Sequence, residues 1–130
     1  MADLETSNVT PTGVWNFASG LATNCFLSAT TGVTASTTQS QGQGAITTHI
    51  CQISTCANAN DTVTLPAAAE GTFCLVINNG AQTAQVFPAS GDNCGKGVNT
   101  ATTVAAGHAL LAYAYDATTY VSFDVTLTAA

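Results

Sequence analysis

Three observations on the 130-residue sequence predict an all-β fold, a small β-sandwich, jelly-roll-like domain or barrel with an extended N-terminal arm. From Ile46 onward the large apolar residues mostly recur every second position, the period of a strand, between Gly, Asn, Asp and Pro punctuation. Helix signals are nearly absent, because Pro66-Ala67-Ala68-Ala69-Glu70 is closed by Gly71 before any amphipathic stripe develops. Upstream of residue 45 the composition changes to Thr, Ser, Gln, Gly and Ala, a mixture with little to bury.

That change divides the chain into an arm, residues 1–45, and a sandwich domain, residues 46–130. Within the arm, Ser28 to Gly44 has Val33 as its one large apolar residue, so it is expected to be irregular or extended unless another chain covers it. Val14, Trp15, Phe17, Leu21, Phe26 and Leu27 form a sparse apolar set without a helical period.

In the domain, Ile46 to Ile53 and Thr62 to Leu65 read as strands. Phe73-Cys74-Leu75-Val76-Ile77-Asn78 is apolar on both faces and is placed as a central strand covered on both sides. Asn79-Gly80 follows, a dipeptide suited to the positive φ angles of a tight hairpin, which would make Gln82 to Phe87 the partner strand, stopped by Pro88. A glycine-bearing loop covers Ala89 to Gly97, and a further strand is expected at His108 to Tyr115. The last strand is Tyr120 to Leu127, with Val121, Phe123, Val125 and Leu127 on one face and Ser122, Asp124 and Thr126 on a wet face.

Composition excludes several classes of function. One Lys, no Arg, five Asp and two Glu give a net charge of −6, so neither a row of phosphates nor an anionic membrane surface would be attracted. Accordingly, no nucleic acid and no membrane is expected as a partner. No apolar run approaches the roughly 20 residues that span a bilayer, and the acidic start Met1-Ala2-Asp3-Leu4-Glu5 is unlike a secretory signal. Synthesis and folding in a cytoplasm are the expectation. Mass is low because 23 residues are Ala, whereas Leu, Ile, Val and Phe together number 27. That is a thin supply for a core.

Candidate chemistry is sparse. The five cysteines, Cys25, Cys51, Cys56, Cys74 and Cys94, contain no Cys-x-x-Cys pair and are read as buried free thiols, with Cys51 and Cys56 the only close local pair. His49 and His108 each fall in an expected strand, at spacings from the cysteines that match no metal motif. The carboxylates are scattered through turns and strand exteriors rather than paired for acid–base work. Gly91-Asp92-Asn93-Cys94-Gly95-Lys96-Gly97 has the look of a phosphate cradle but lacks the Gly-Lys-Ser/Thr ending and a following helix. No enzyme activity, catalytic residue, metal or cofactor is assigned.

The segments Asp61-Thr62-Val63-Thr64-Leu65-Pro66, Gly71, Val76-Ile77-Asn78-Asn79-Gly80 and Val86-Phe87-Pro88-Ala89-Ser90-Gly91-Asp92, with Gly97 and the late aromatics Tyr113, Tyr115, Tyr120 and Phe123, resemble small β-rich virion proteins of tailed bacteriophages. The resemblance runs from residue 61 to 123 and departs from the pattern at Tyr120, where a closing tryptophan is usual, and at Asn93-Cys94, where an Asn next to an aliphatic residue is usual. Its motifs are turn and packing signatures.

Such a resemblance implies a non-catalytic capsid decoration, or cement, protein on the virion exterior. Its partners would be the major capsid protein and itself, as a homo-oligomer, commonly a trimer. Val14, Trp15, Phe17 and Phe26 are the candidate partner contacts, large apolar groups in a segment with no core of its own. The alternative is a tail- or head-fibre module that contacts a host glycan through a shelf of Tyr113, Tyr115 and Tyr120.

Overall fold

The computed structural model describes residues 27–128. Among them there is no helix, and eight strands form two sheets of an open sandwich, which corresponds to the all-β expectation and is not a closed barrel. In chain order the strands are β1 (Ala29–Thr34), β2 (Ile50–Thr55), β3 (Thr62–Thr64), β4 (Phe73–Asn78), β5 (Ala84–Phe87), β6 (Thr102–Val104), β7 (His108–Ala114) and β8 (Tyr120–Thr126). One sheet has the order β1-β2-β4-β7-β8 and the other β3-β5-β6.

Parallel neighbours require a crossover, and here the opposite sheet supplies it instead of a helix. β2 and β4 are parallel, and the chain between them visits β3 in the other sheet. β1 and β2 are also parallel, and the segment between them leans on β3 through bridges of Ser36 to Thr62 and Ala45 to Thr64. The expected strand Ile46 to Ile53 is therefore divided. Ile46 donates its N–H to the Thr64 carbonyl at 2.8 Å on the small sheet, and the regular strand begins only at Ile50 on the large one.

Residues 29–45, counted above with the arm, lie on the sandwich body: β1 is an edge strand of the large sheet, and Ala35 is buried in the core. Residues 1–26 lie outside the described residues.

The expected hairpin at Asn79-Gly80 does not form, because β4 and β5 belong to different sheets. Neither Asn79 nor Gly80 has a positive φ. Instead, the fully buried Asn78 side chain holds a corner between the sheets. Its Nδ2 donates to the Gln82 carbonyl at 2.8 Å and to the Val104 carbonyl at 2.9 Å, and its Oδ1 accepts the Gly80 N–H at 2.9 Å. Gly80 is required by proximity, since a Cβ there would stand 2.5 Å from the backbone nitrogen of Cys56.

Small side chains let the two sheets meet closely. The buried cluster combines Ile53, Val63, Leu65, Val76, Val86, Val104 and Leu110 with Ala35, Ala84, Ala112 and four cysteines, and Tyr120 is its one large aromatic. The Tyr120 hydroxyl donates to the Pro66 carbonyl at 3.1 Å. Buried carboxylates tie the turns: Asp61 Oδ2 accepts the Ala57 and Asn58 N–H groups, and Asp92 Oδ2 accepts the Ala68 N–H at 2.7 Å. The Leu-Pro-Ala-Ala turn and the Ser-Gly-Asp turn are thus joined to each other, a scaffolding role for two of the motif segments.

Cys51, Cys56, Cys74 and Cys94 are free and buried. Burial pushes the Cys51 thiol up to about 11 and the Cys74 thiol up to about 12, and it raises Cys56 and Cys94 as well. Folding therefore favours the protonated thiols. The stability this contributes is fully present below about pH 9, where thiols of the unfolded chain begin to ionise, and is lost as pH climbs toward 11 and 12. Urea unfolding at successive pH values should show a falling midpoint above pH 9 in the wild type and a smaller fall in the Cys51→Ala, Cys74→Ala double variant. Equal slopes in the two proteins would contradict this origin.

Candidate functional site

Strand pairing aligns three apolar rows across the outer face of the five-stranded sheet, the face turned away from β3, β5 and β6. The middle row is Ala29, Ile50, Leu75, Leu111 and Phe123, one residue from each strand. Beside it lie Phe73, Tyr113 and Val121 on one side, and Gln52, Ile77, Ala109 and Val125 on the other. Phe73 and Tyr113 pack edge to face with ring centroids 5.1 Å apart.

This face is uncovered among the described residues. Phe123 is 52% exposed and Tyr113 45%, with Val121 and Val125 also exposed, while Ile50, Phe73, Leu75, Ile77 and Leu111 are half-buried by their neighbours in the sheet. The alternation of β8 thus has the opposite sense to a buried apolar face and a wet polar one. Its apolar row points outward. Its polar row faces the sandwich side, where the Ser122 hydroxyl donates to the Cys94 carbonyl at 2.9 Å and Asp124 Oδ1 meets His108 Nδ1 at 2.6 Å. β4, expected to be covered on both faces, is covered on the face of Cys74, Val76 and Asn78 alone.

Contiguous apolar patches on the surface of a folded domain mark interaction sites when they are large. This face offers hydrophobic contact area with aromatic and branched anchors, the composition found at the centre of protein–protein interfaces.

The residues singled out from the sequence fall in several places. Val14, Trp15, Phe17 and Phe26 lie outside the described residues. Tyr113, Tyr115 and Tyr120 do not make one shelf: Tyr113 is on the outer face, Tyr115 is 64% exposed at the end of β7, and Tyr120 is in the core at 1%. The N–H groups of Gly95 and Gly97 are both taken by Asn93 Oδ1 and that of Gly91 by Asn99 Oδ1, so these glycines have no N–H left over for a phosphate. His49 sits just before β2, with Nδ1 2.9 Å from the Ser28 hydroxyl, and His108 opens β7. No group of three metal-ligating side chains occurs among the described residues. Every described thiol is shifted away from the reactive thiolate, the reverse of an activated nucleophile.

The sequence does not single out Ile50, Leu75, Ile77, Leu111, Val121, Phe123 and Val125 as site residues. The period-two pattern of β8 and the two-faced apolarity of β4 were their signal, but a strand pattern does not say which of its faces meets the second sheet. Comparisons with protein-family models, with curated proteins and with solved structures find no match.

Proposed function

We propose that this chain is a non-catalytic capsid decoration protein that binds the outside of a tailed-phage shell and reinforces it, as a homotrimer. The observation that carries the reading is the uncovered apolar face of the five-stranded sheet. Burying that face against a second copy and against the major capsid protein would supply the apolar contact that a chain of small side chains lacks by itself. The turn motifs that resemble those of phage virion proteins support the same reading; here Asp92 joins two of the turns to each other and Asn78 ties the two sheets. Reinforcement is mechanical: each contact lowers the free energy of the closed shell against the pressure of packaged DNA. Residues 1–26, with Val14, Trp15, Phe17 and Phe26, extend the contact to neighbouring subunits.

The test is cosedimentation with bare shells together with copy number in purified virions. Stoichiometric pelleting and hundreds of copies per particle are expected. A chain that stays in the supernatant, or one present in only a few copies, contradicts the assignment.

A further inference from the structure

A cleft of about 570 Å³ opens between the Asn93–Gly97 loop and the start of β8, away from the centre of the apolar face. Its volume is that of a small-molecule site. Asn93, Lys96, Tyr115, Thr119, Ser122 and Asp124 line it. We infer that this cleft binds an uncharged saccharide, one pyranose ring resting on Tyr115 with its hydroxyls held between Lys96 and Asp124.

Three features point to that ligand class. The first is rigidity. Asn93 Oδ1 accepts the Gly95 and Gly97 N–H groups at 2.8 and 3.0 Å, its backbone N–H donates to the Thr118 carbonyl, and its carbonyl accepts the Tyr120 N–H. The Ser122 hydroxyl fastens the Cys94 carbonyl from below. Gly95 and Gly97 hold positive φ angles of 98° and 118°, which fix the backbone on either side of Lys96. A wall prepared in this way loses little freedom when a ligand arrives.

The second is unused hydrogen-bonding capacity of both kinds. Lys96, the only Lys or Arg of the sequence, makes no ion pair among the described residues. Asp124 engages His108 through Oδ1, which leaves Oδ2 without a partner among the described residues, and Asn93 keeps its amide donors. A sugar hydroxyl both donates and accepts, so it satisfies an ammonium and a carboxylate at once. A phosphate or carboxylate ligand would gain from Lys96 but meet Asp124, in a chain of net charge −6.

The third is Tyr115, whose ring is exposed at the rim with no aromatic partner among the described residues. It presents the amphipathic platform on which the C–H face of a pyranose packs. The inference stands apart from the capsid reading, because the cleft is formed within one chain and needs no shell.

Isotope-labelled full-length chain is titrated with methyl α-D-glucopyranoside, methyl α-D-mannopyranoside and methyl β-D-galactopyranoside, with D-glucuronate as the charged arm, while backbone amide shifts are followed. At least one neutral glycoside should give saturable shifts confined to Gly95, Lys96, Thr119, Ser122 and Asp124, with a dissociation constant on the order of millimolar. Tyr115→Ala and Lys96→Met should each weaken it about tenfold or more. Both side chains are exposed, and the variants' own amide spectra report whether the fold persists. Absence of saturable shifts with all three neutral glycosides, binding of glucuronate alone, or shifts that survive Tyr115→Ala would each overturn the inference. None of these outcomes depends on whether the chain pellets with shells.

Discussion

Replacing Phe123 by Asp is expected to leave the sandwich folded and to weaken the self-association proposed above. Phe123 ends the middle apolar row at the β8 edge and is 52% exposed in the single chain, so the substitution removes no core contact. In an interface it would place a carboxylate, with its cost of desolvation, where an aromatic ring should meet apolar surface. An aromatic interface anchor typically contributes about 2–4 kcal/mol, so association should weaken by a factor of at least about 30. Light scattering after size exclusion reads the association, and circular dichroism reads the fold. Ser90→Asp, at an exposed turn, is the control and should assemble as wild type. A Phe123→Asp protein that assembles like the control would remove the outer face from consideration.

The second large effect is expected inside the molecule. Asn78→Ala strands the buried Val104 carbonyl and Gly80 N–H at the inter-sheet corner and removes the donor to the Gln82 carbonyl, and buried groups without partners cost about 1–3 kcal/mol each. The variant should lose about 3 kcal/mol or more of unfolding free energy, a large fraction of what a small domain possesses. Gly80→Ala should be comparably damaging, because its Cβ would stand 2.5 Å from the Cys56 nitrogen and 2.6 Å from the Cys56 Cβ. Asn79→Ala, at an exposed position with an ordinary φ, should change stability by less than about 0.5 kcal/mol. Urea unfolding of the three variants separates a packed inter-sheet corner from a hairpin turn. A hairpin would make Asn79 costly and Asn78 mild.

Asn78 also marks where the sequence stops being legible. The β4 strand is readable to its ends, since Phe73 to Ile77 is a continuous apolar run, with Asn78 after it, between Gly71 and Gly80. β3, β5, β7 and β8 are readable to within a residue or two from apolar alternation and turn punctuation. The pairing of β4 is not readable. Asn-Gly ordinarily signals a two-residue hairpin, and only the burial of the preceding side chain reveals a step between sheets. β6 is three residues long and has no signature of its own beyond Val104, while β1 contains one large apolar residue and is held by pairing with β2 rather than by a buried face. Tertiary context decides such strands.

The candidate site is legible in part and in reverse. Alternation in Val121-Ser122-Phe123-Asp124-Val125 gives two faces, and hydrophobicity alone assigns the apolar one to the interior. Pairing overrides that assignment. Ala112 and Leu110 of β7 face the second sheet, and their partners on β8, Ser122 and Asp124, must follow them. The core ends at that edge, and Val121, Phe123 and Val125 are left exposed among the described residues.

The most direct measurement is the mass of the full chain in solution across a concentration series, by size exclusion with light scattering. The expected species has about three times the 13.0 kDa of one chain, persists on dilution and is lost in the Phe123→Asp variant. A wild-type chain that stays at the mass of one copy at every concentration, with its apolar sheet face protected from solvent exchange, would contradict it.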